Sequence, residues 1–93
     1  MLESTIVRKI REMLSARGCW SVKFHGSVFA PKGNSDIYAC CKGRFVALEV
    51  KVPGEGPTKL QQKTLDELKN SGAVTAVVHS VEEAESVLSK ADL

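Results

Sequence analysis

The stretch that decides the fold is residues 36–51, DIYACCKGRFVALEVK. Two apolar arms flank Lys42-Gly43, which has the length of a tight two-residue hairpin connection. Counting back from this turn along both arms places Asp36 directly opposite Glu49. The other face of the hairpin is then uniformly apolar. A slip of one residue would put charges among the aliphatic side chains, which supports this register.

The opposed carboxylates are chemically unusual. Side chains opposed in this way have Cβ atoms about 4.5–5.5 Å apart, and like charges at that separation repel. Asp36 and Glu49 should therefore take up a proton or bind a cation. Lys51 projects from the same face as Glu49, roughly 6.5–7 Å further along the strand. The structural alternative is a solvated face on which Glu49 and Lys51 form a surface ion pair, which contributes little to stability.

Two features favour the functional interpretation. The arm 45–51 is apolar on both faces, which predicts a central strand covered on both sides. Residues 3–17 have the periodicity of an amphipathic helix, and Glu3 precedes Ile6 by three and Ile10 by seven positions, so it lies on the apolar stripe. A third carboxylate aimed at the sheet is costly unless a positive group lies there.

Helix and strand signals alternate through the rest of the chain. The predicted elements are helix 3–17, strands 19–25, 36–41 and 45–51, helix 58–71, strand 73–79 and a last helix that opens with a capping box at Ser80, with residues 31–35 as a turn. The order α-β-β-β-α-β-α predicts an α/β fold, a small mixed β-sheet flanked by helices. The connection between the last two strands has the length of a parallel crossover.

Gln61 is a further candidate. It precedes Leu65 by four and Leu68 by seven positions, so it shares the inward face of its helix. However, Thr58 lies three residues before it, and this spacing is also a capping box in which the amide only closes the helix start. Both interpretations stay open on the residues alone.

Composition bounds the class of protein. The 93 residues suffice for one domain, expected to span 1–93, and 43% hydrophobic with 26% charged residues is ordinary for a globular protein. No apolar run approaches the roughly 18 residues of a membrane span, and the amphipathic N-terminus is unlike a signal peptide. These features predict a cytoplasmic protein that does not contact membranes. Residues 1–80 carry 12 basic and 7 acidic groups, which is compatible with a polyanionic partner.

The cysteines predict no special chemistry. They are three in number, Cys19, Cys40 and Cys41, and no C-x-x-C occurs. A zinc site formed with His25 and His79 fits no known ligand spacing. Buried thiols that act as small hydrophobes are the expected state.

Two opposed carboxylates, Asp36 and Glu49, with Lys51 beside them are suited to phosphodiester hydrolysis assisted by Mg²⁺. Mg²⁺ prefers carboxylate, carbonyl and water oxygens. Held between Asp36 and Glu49, it would polarise a phosphate and acidify a water. Lys51 would position or deprotonate that water, or stabilise negative charge on the phosphorane.

This arrangement of acids and lysine resembles the motif of a known enzyme family. Asp36, twelve intervening residues and Glu49-Val50-Lys51 resemble the PD-(D/E)XK nuclease motif. Together with Glu3, GNSDI, FVALEVK, the following Pro-Gly and Gln61, they resemble the virus-type replication–repair nuclease (VRR-NUC) family over residues 3 to 79. Ser35 stands where the motif name has Pro, a loop position without a chemical role.

The resemblance implies a restriction-endonuclease-like core and a metal-dependent nuclease. Asp36, Glu49, the Val50 carbonyl and Glu3 would lie at the metal, Mg²⁺ with Mn²⁺ able to substitute. Lys51 would be catalytic, with Glu3 and Gln61 as further active-site residues.

The family also implies a substrate and a partner. Its stand-alone members resemble small phage or bacterial homodimers comparable to Holliday junction resolvases, which would act on branched DNA, in the host cytoplasm if phage-encoded. Candidate phosphate contacts are Lys32, Lys59 and Arg8. The alternatives are a nuclease for flaps or duplex DNA, and a non-catalytic nucleic-acid-binding subunit with the same fold; retention of Asp36, Glu49 and Lys51 favours an enzyme.

Overall fold

The computed structural model describes residues 1–24 and 33–93 and contains three helices and four strands in those ranges. The elements are α1 (Glu3–Ala16), β1 (Trp20–Lys23), β2 (Ile37–Cys41), β3 (Arg44–Val50), α2 (Lys59–Asn70), β4 (Val74–Val78) and α3 (Val81–Lys90). The predicted order α-β-β-β-α-β-α is confirmed, with bounds that differ by at most two residues. His25 and the first part of the predicted turn 31–35 lie outside the described residues.

The sheet is mixed, as predicted. Its strand order is β1-β2-β3-β4, with the first two pairs antiparallel and β3 parallel to β4. The strand β3 is therefore central, and α2 makes the crossover to β4. This arrangement puts the end of β3 beside the end of β4, with Lys51 N donating to Val78 O at 3.0 Å.

The hairpin has the register that the sequence predicts. Ile37 pairs with Leu48, and Cys41 with Arg44, across a two-residue loop. Lys42 and Gly43 both have positive φ, 51° and 77°. A two-residue turn of type I′ needs this backbone at both positions, and its twist matches that of the strands. The turn thereby fixes which residues face each other at the far end of the hairpin.

The core lies between one face of the sheet and the helices α1 and α3. The fully buried side chains there include Ile10, Leu14, Ile37, Leu48 and Leu88. The helix α2 packs on the β3–β4 half of the opposite face. Since α2 does not extend over β1 and β2, no helix among the described residues covers that half of the second face, and it lies open.

The open half corrects one prediction. Strand 45–51 was expected to be covered on both sides along its length, and Ala47 and Glu49 are indeed buried. Phe45, however, is 45% exposed, and so are Trp20 at 67% and Val22 at 40%. These three side chains point to the face that α2 leaves uncovered, because residues alternate between faces along each strand.

The predicted capping box at Ser80 forms only in part. Ser80 Oγ accepts a hydrogen bond from Glu83 N at 3.1 Å. The Glu83 carboxylate does not reach back to the helix start but lies 3.2 Å from His79 Nδ1. His79 Nε2 lies 2.8 Å from Glu55 O, so this ring ties the segment after β3 to the start of α3.

The cysteine prediction is wrong. Cys19 and Cys41 form a disulfide, and Cys40 is an exposed thiol rather than a buried one. The cause is strand register: Trp20 pairs with Cys40, so the preceding residue falls beside Cys41. The disulfide also leaves Cys19 and Cys41 unable to act as thiolate ligands in a zinc site with His25 and His79. No helix within the described ranges is long and apolar enough to cross a membrane.

The disulfide should stabilise the fold measurably. It closes a segment with a sequence separation of 22 residues, and a loop of this length corresponds to about 3 kcal/mol in the chain-entropy estimate. We expect Cys19→Ser to lower the free energy of unfolding by about this amount in urea denaturation. Cys40→Ser is the matched control and should change it by less than about 0.5 kcal/mol. Equal midpoints for wild type and Cys19→Ser under oxidising conditions would contradict the pairing.

Candidate active site

Two carboxyl groups meet where the hairpin arms end. Asp36 immediately precedes β2, and its Oδ2 accepts a hydrogen bond from Val50 N at 2.8 Å. The Glu49 side chain is 1% exposed and hydrogen-bonds to the Asp36 side chain. The predicted juxtaposition of these two acids across the sheet is what the structure has. Because Asp36 also holds the backbone of β3, its orientation is fixed from two sides.

Glu49 is in a strongly unfavourable place for a charge. Burial is the main cause that raises the pKa of Glu49 from 4.5 to about 9, and the hydrogen bond to Asp36 and the charge of Asp36 act in the same direction. Glu3 raises this pKa further, while the positive charge of Lys51 lowers it. Without a cation, Glu49 therefore keeps its proton at neutral pH, because its charge would be both desolvated and repelled.

Glu3 and Lys51 complete the cluster. Lys51 follows the end of β3 two residues after Glu49, on the same face, and is half-buried. Glu3 is the first residue of α1, also half-buried, and its charge acts on Glu49 from the helix side. The structure thus brings Asp36 and Glu49 into contact and places the charges of Lys51 and Glu3 within electrostatic range of Glu49.

Unpartnered polar atoms mark the same place. Among the described residues, the buried side-chain oxygens without a hydrogen-bond partner are Glu49 Oε2 and Ser35 Oγ. Such atoms are rare in folded proteins and call for a physical explanation. Both belong to residues of the motif, and Ser35 directly precedes Asp36. An oxygen-seeking cation would give the Glu49 oxygen a partner.

Ser35 is a residue that sequence reasoning missed. Its position was expected to be a plain loop position, yet it is 1% exposed. Ser35 N donates to the Tyr38 hydroxyl at 3.2 Å, and that hydroxyl donates to Asn34 Oδ1 at 2.7 Å. The segment leading into Asp36 is therefore held by a side chain of β2. The signal was present in the sequence as Tyr38, which shares a face with Asp36.

Gly33 holds the other side of this segment. A Cβ at Gly33 would lie 2.9 Å from Leu60 Cγ and from Leu60 O, and its φ is +88°. Only glycine fits this close approach to α2 without displacement. The loop before Asp36 is thereby packed directly against the first turns of α2.

Gln61 forms the capping box that was one of its two predicted roles. Its Oε1 accepts from Thr58 N at 2.9 Å, and Thr58 Oγ1 accepts from Gln61 N at 3.1 Å. The side chain is half-buried, and its amide nitrogen is not used by the cap. A role in catalysis stays a prediction for this residue.

Of the three candidate phosphate contacts, two lie among the described residues. Arg8 is exposed on α1 and pairs with Glu12 at 2.9 Å. Lys59 is exposed at the first position of α2. Lys32 lies outside the described residues, so its predicted role is not addressed by the structure.

The donor set suits a hard divalent cation. Within residues 1–24 and 33–93, no three His, Cys, Asp or Glu side chains are grouped as ligands for a metal. The side-chain ligands in reach of one another are the two carboxylates of Asp36 and Glu49. Mg²⁺ is usually held by one or two carboxylates with several waters, so this pair fits it, whereas structural zinc prefers four side chains.

The pKa of Glu49 gives a pH-dependent stability. Between pH 4.5 and about 9 Glu49 is ionised in the unfolded chain but protonated in the folded one, so the free energy of unfolding should fall as pH rises through this window. Urea titrations without metal should show this slope in the wild type and a smaller one in Glu49→Gln. Glu67→Gln, an exposed position, is the control.

Mg²⁺ or Mn²⁺ should reverse part of that fall. A cation competes with the proton for the carboxylates, so its stabilising effect should grow with pH in the wild type and be weak in Glu49→Gln. Identical pH slopes for wild type and Glu49→Gln, or metal effects of equal size in both, would contradict the assignment of this pair.

Comparisons with known proteins agree with this architecture. No protein-family model and no curated protein matches the sequence. A solved VRR_NUC domain is similar over 94% of this chain and 94% of its own, with a TM-score of 0.79 and 21% identity. Hjc, a Holliday junction resolvase from the archaeal hyperthermophile Archaeoglobus fulgidus, is similar over 83% of this chain and 67% of its own, with a TM-score of 0.65 and 21% identity. The chain therefore has the fold of a VRR-NUC domain, and the carboxylate pair lies on that fold.

Proposed function

We propose that this chain is a metal-dependent endonuclease that hydrolyses phosphodiester bonds of branched DNA, within one domain spanning residues 1–93. The observation that carries the proposal is Glu49, a buried carboxyl group with an unpartnered oxygen, hydrogen-bonded to Asp36. A fold gains nothing in stability from such a pair. The pair therefore points to chemistry, since perturbed groups of this kind concentrate at functional sites.

Asp36 and Glu49 would hold Mg²⁺, for which Mn²⁺ can substitute, with the Val50 carbonyl as third ligand and Glu3 beside them. When bound, the ion polarises the phosphate and lowers the pKa of a water. The hydrogen bond from Val50 N keeps Asp36 directed at this point. The fixed backbone of β3 therefore positions both carboxylates before substrate arrives, which is the condition for efficient electrostatic catalysis.

Lys51 would act on the reacting groups themselves. Lys51 follows Glu49 by two residues on the same face of the sheet, and its positive charge lowers the pKa of that carboxyl group. There it can orient the attacking water or stabilise the charge that develops on the phosphate oxygens. Gln61, with its amide nitrogen free of the cap, would donate a hydrogen bond to water or phosphate, and Glu3 would accept one.

Branched DNA is proposed as the substrate because of a structurally similar protein. Hjc, which shares this fold at a TM-score of 0.65, is a Holliday junction resolvase. Cleavage of flaps or duplex DNA uses the same site chemistry, and a non-catalytic binding subunit would keep the fold without it. The outcomes of one assay separate these candidates.

That assay uses labelled four-way junction, flap, duplex and single-stranded DNA, with and without Mg²⁺. We expect paired cuts in the junction with Mg²⁺ and none without it. Lys51→Ala should reduce the cleavage rate by at least 100-fold, the order expected when a group that acts in the transition state is removed, while binding persists. Lys69→Ala, an exposed lysine at the end of α2, should cleave as the wild type does.

The results that would contradict the proposal are clear. Binding of DNA without cleavage by the wild type, with either metal, would identify a non-catalytic subunit. Equal cleavage by Lys51→Ala would remove Lys51 from the mechanism. Cuts in flap or duplex alone would leave a nuclease but reject the junction as its substrate.

The proposed enzyme is a homodimer, and the open half of the sheet supports this. Trp20, Cys40 and Phe45 lie side by side across three strands there, and the rings of Tyr38 and Phe45 stack at 5.5 Å. The outer face of an antiparallel sheet is normally polar, and a contiguous apolar patch marks an interaction surface. An uncharged patch can meet its own copy across a two-fold axis without repulsion.

Trp20, the one tryptophan of the chain and 67% exposed in the single subunit, reports this directly. We expect its emission to shift to shorter wavelength with protein concentration, and sedimentation to give twice the monomer mass. Phe45→Ser should shift both toward the monomer. Leu2→Ala changes an apolar residue outside the patch that is more exposed than Phe45, and it should have no effect. A monomer at all concentrations would contradict the homodimer.

A further inference from the structure

A groove runs between α1 and the edge strand β1. It has a volume of about 340 Å³ and is lined by Arg8, Arg11 and Lys23, with Glu12 and the serines 4 and 15 at its sides. Three cationic side chains therefore face one carboxylate. No part of the proposed catalytic chemistry uses this groove, although its residues come from the elements that carry Glu3 and flank Asp36.

Its arginines keep donors for a further partner. Arg8 pairs with Glu12 at 2.9 Å, but both side chains are more than 60% exposed, and such a pair is weak. Arg11 donates to Ser21 Oγ at 3.3 Å and to Ser21 O at 3.4 Å, which anchors the guanidinium to β1. A guanidinium has five N–H donors, so each arginine retains several for an anion.

The groove adjoins the chain segments that carry the candidate active site. Lys23 pairs with Ile37, the residue after Asp36, and the next residue, Phe24, donates its N–H to Asp36 O at 2.9 Å. At the helix side the groove begins at Ser4, next to Glu3. From Ser4 to Ser15 α1 rises by about 16 Å, which corresponds to four or five nucleotides of one DNA strand along a duplex axis.

We propose that this groove binds the sugar–phosphate backbone of one arm of the DNA substrate, over about four nucleotides leading away from the bond that is cut. The inference rests on the proposed function, because it takes DNA as the substrate. Arginine forks match phosphate oxygens in a bidentate manner, and contacts of this type position a duplex without reading its bases. Glu12 moderates the affinity, since it repels phosphate and occupies Arg8.

The test measures equilibrium DNA binding in EDTA, so that no strand is cut, with fluorescently labelled junction and duplex at several salt concentrations. Arg8→Ala and Lys23→Ala should each weaken binding several-fold, to a similar extent for different base sequences, and lower the slope of log Kd against log salt by about one. Glu12→Gln should do the opposite and tighten binding. Arg11→Lys keeps the charge but loses the fork, and should weaken binding less than Arg8→Ala does.

Lys9→Ala is the matched control. It removes the same charge from the same helix, next to Arg8 in sequence, but Lys9 lines a different cavity beside Pro53 and His79. It should change the affinity less than Arg8→Ala does and leave the salt slope unaltered. The urea midpoint of each variant verifies that it is folded.

Each outcome decides a different question. An equal loss of DNA affinity in Lys9→Ala and Arg8→Ala would mean that binding depends only on net charge, and would contradict the groove as the binding site. If the wild type binds DNA and Arg8→Ala and Lys23→Ala bind it equally well, the groove is not the binding site, but the nuclease proposal is unaffected. A wild type that binds no DNA of any form would overturn both.

Discussion

The burial of Glu49 beside Asp36 is the constraint on which the rest of the structure depends. A carboxyl group that is 1% exposed and hydrogen-bonded to a second acid lowers the stability of the fold. A chain of only 93 residues has a small net free energy of folding, so this cost is significant. The surroundings hold the pair in place nonetheless: Val50 N anchors Asp36, and the loop before it is packed on α2. Proteins keep such unfavourable groups where activity requires them.

The parts of the site that follow from local rules were predictable. Alternation along two short arms and a turn that accepts positive φ determine the hairpin, and counting from the turn gives the partner of Asp36. The inward direction of Glu3 follows in the same way from helical periodicity. In each case one short segment contains all the information, so no knowledge of distant parts of the chain is needed.

The features that were missed depend on contacts between distant segments. The pairing of Cys19 with Cys41 requires the register of β1 on β2, and the long connection between them does not fix it. The exposure of Phe45 depends on how far α2 extends over the sheet, about which the pattern of β3 says nothing. Gln61 remained ambiguous because its position satisfies two patterns at once. It follows Thr58 by three residues, as a capping box requires, and it precedes Leu65 by four, as an inward face requires. The structure has the capping box.

The turn at Lys42-Gly43 bears on how related sites are recognised in other sequences. Residues can be added within this connection while Cys41 and Arg44 stay paired, so the two acids remain opposed. An odd insertion within either arm instead turns one acid to the opposite side of the sheet. A search that demands a fixed count of residues between the acids would thus overlook chains with identical chemistry. A search that counts alternate positions outward from the reversal would retain them.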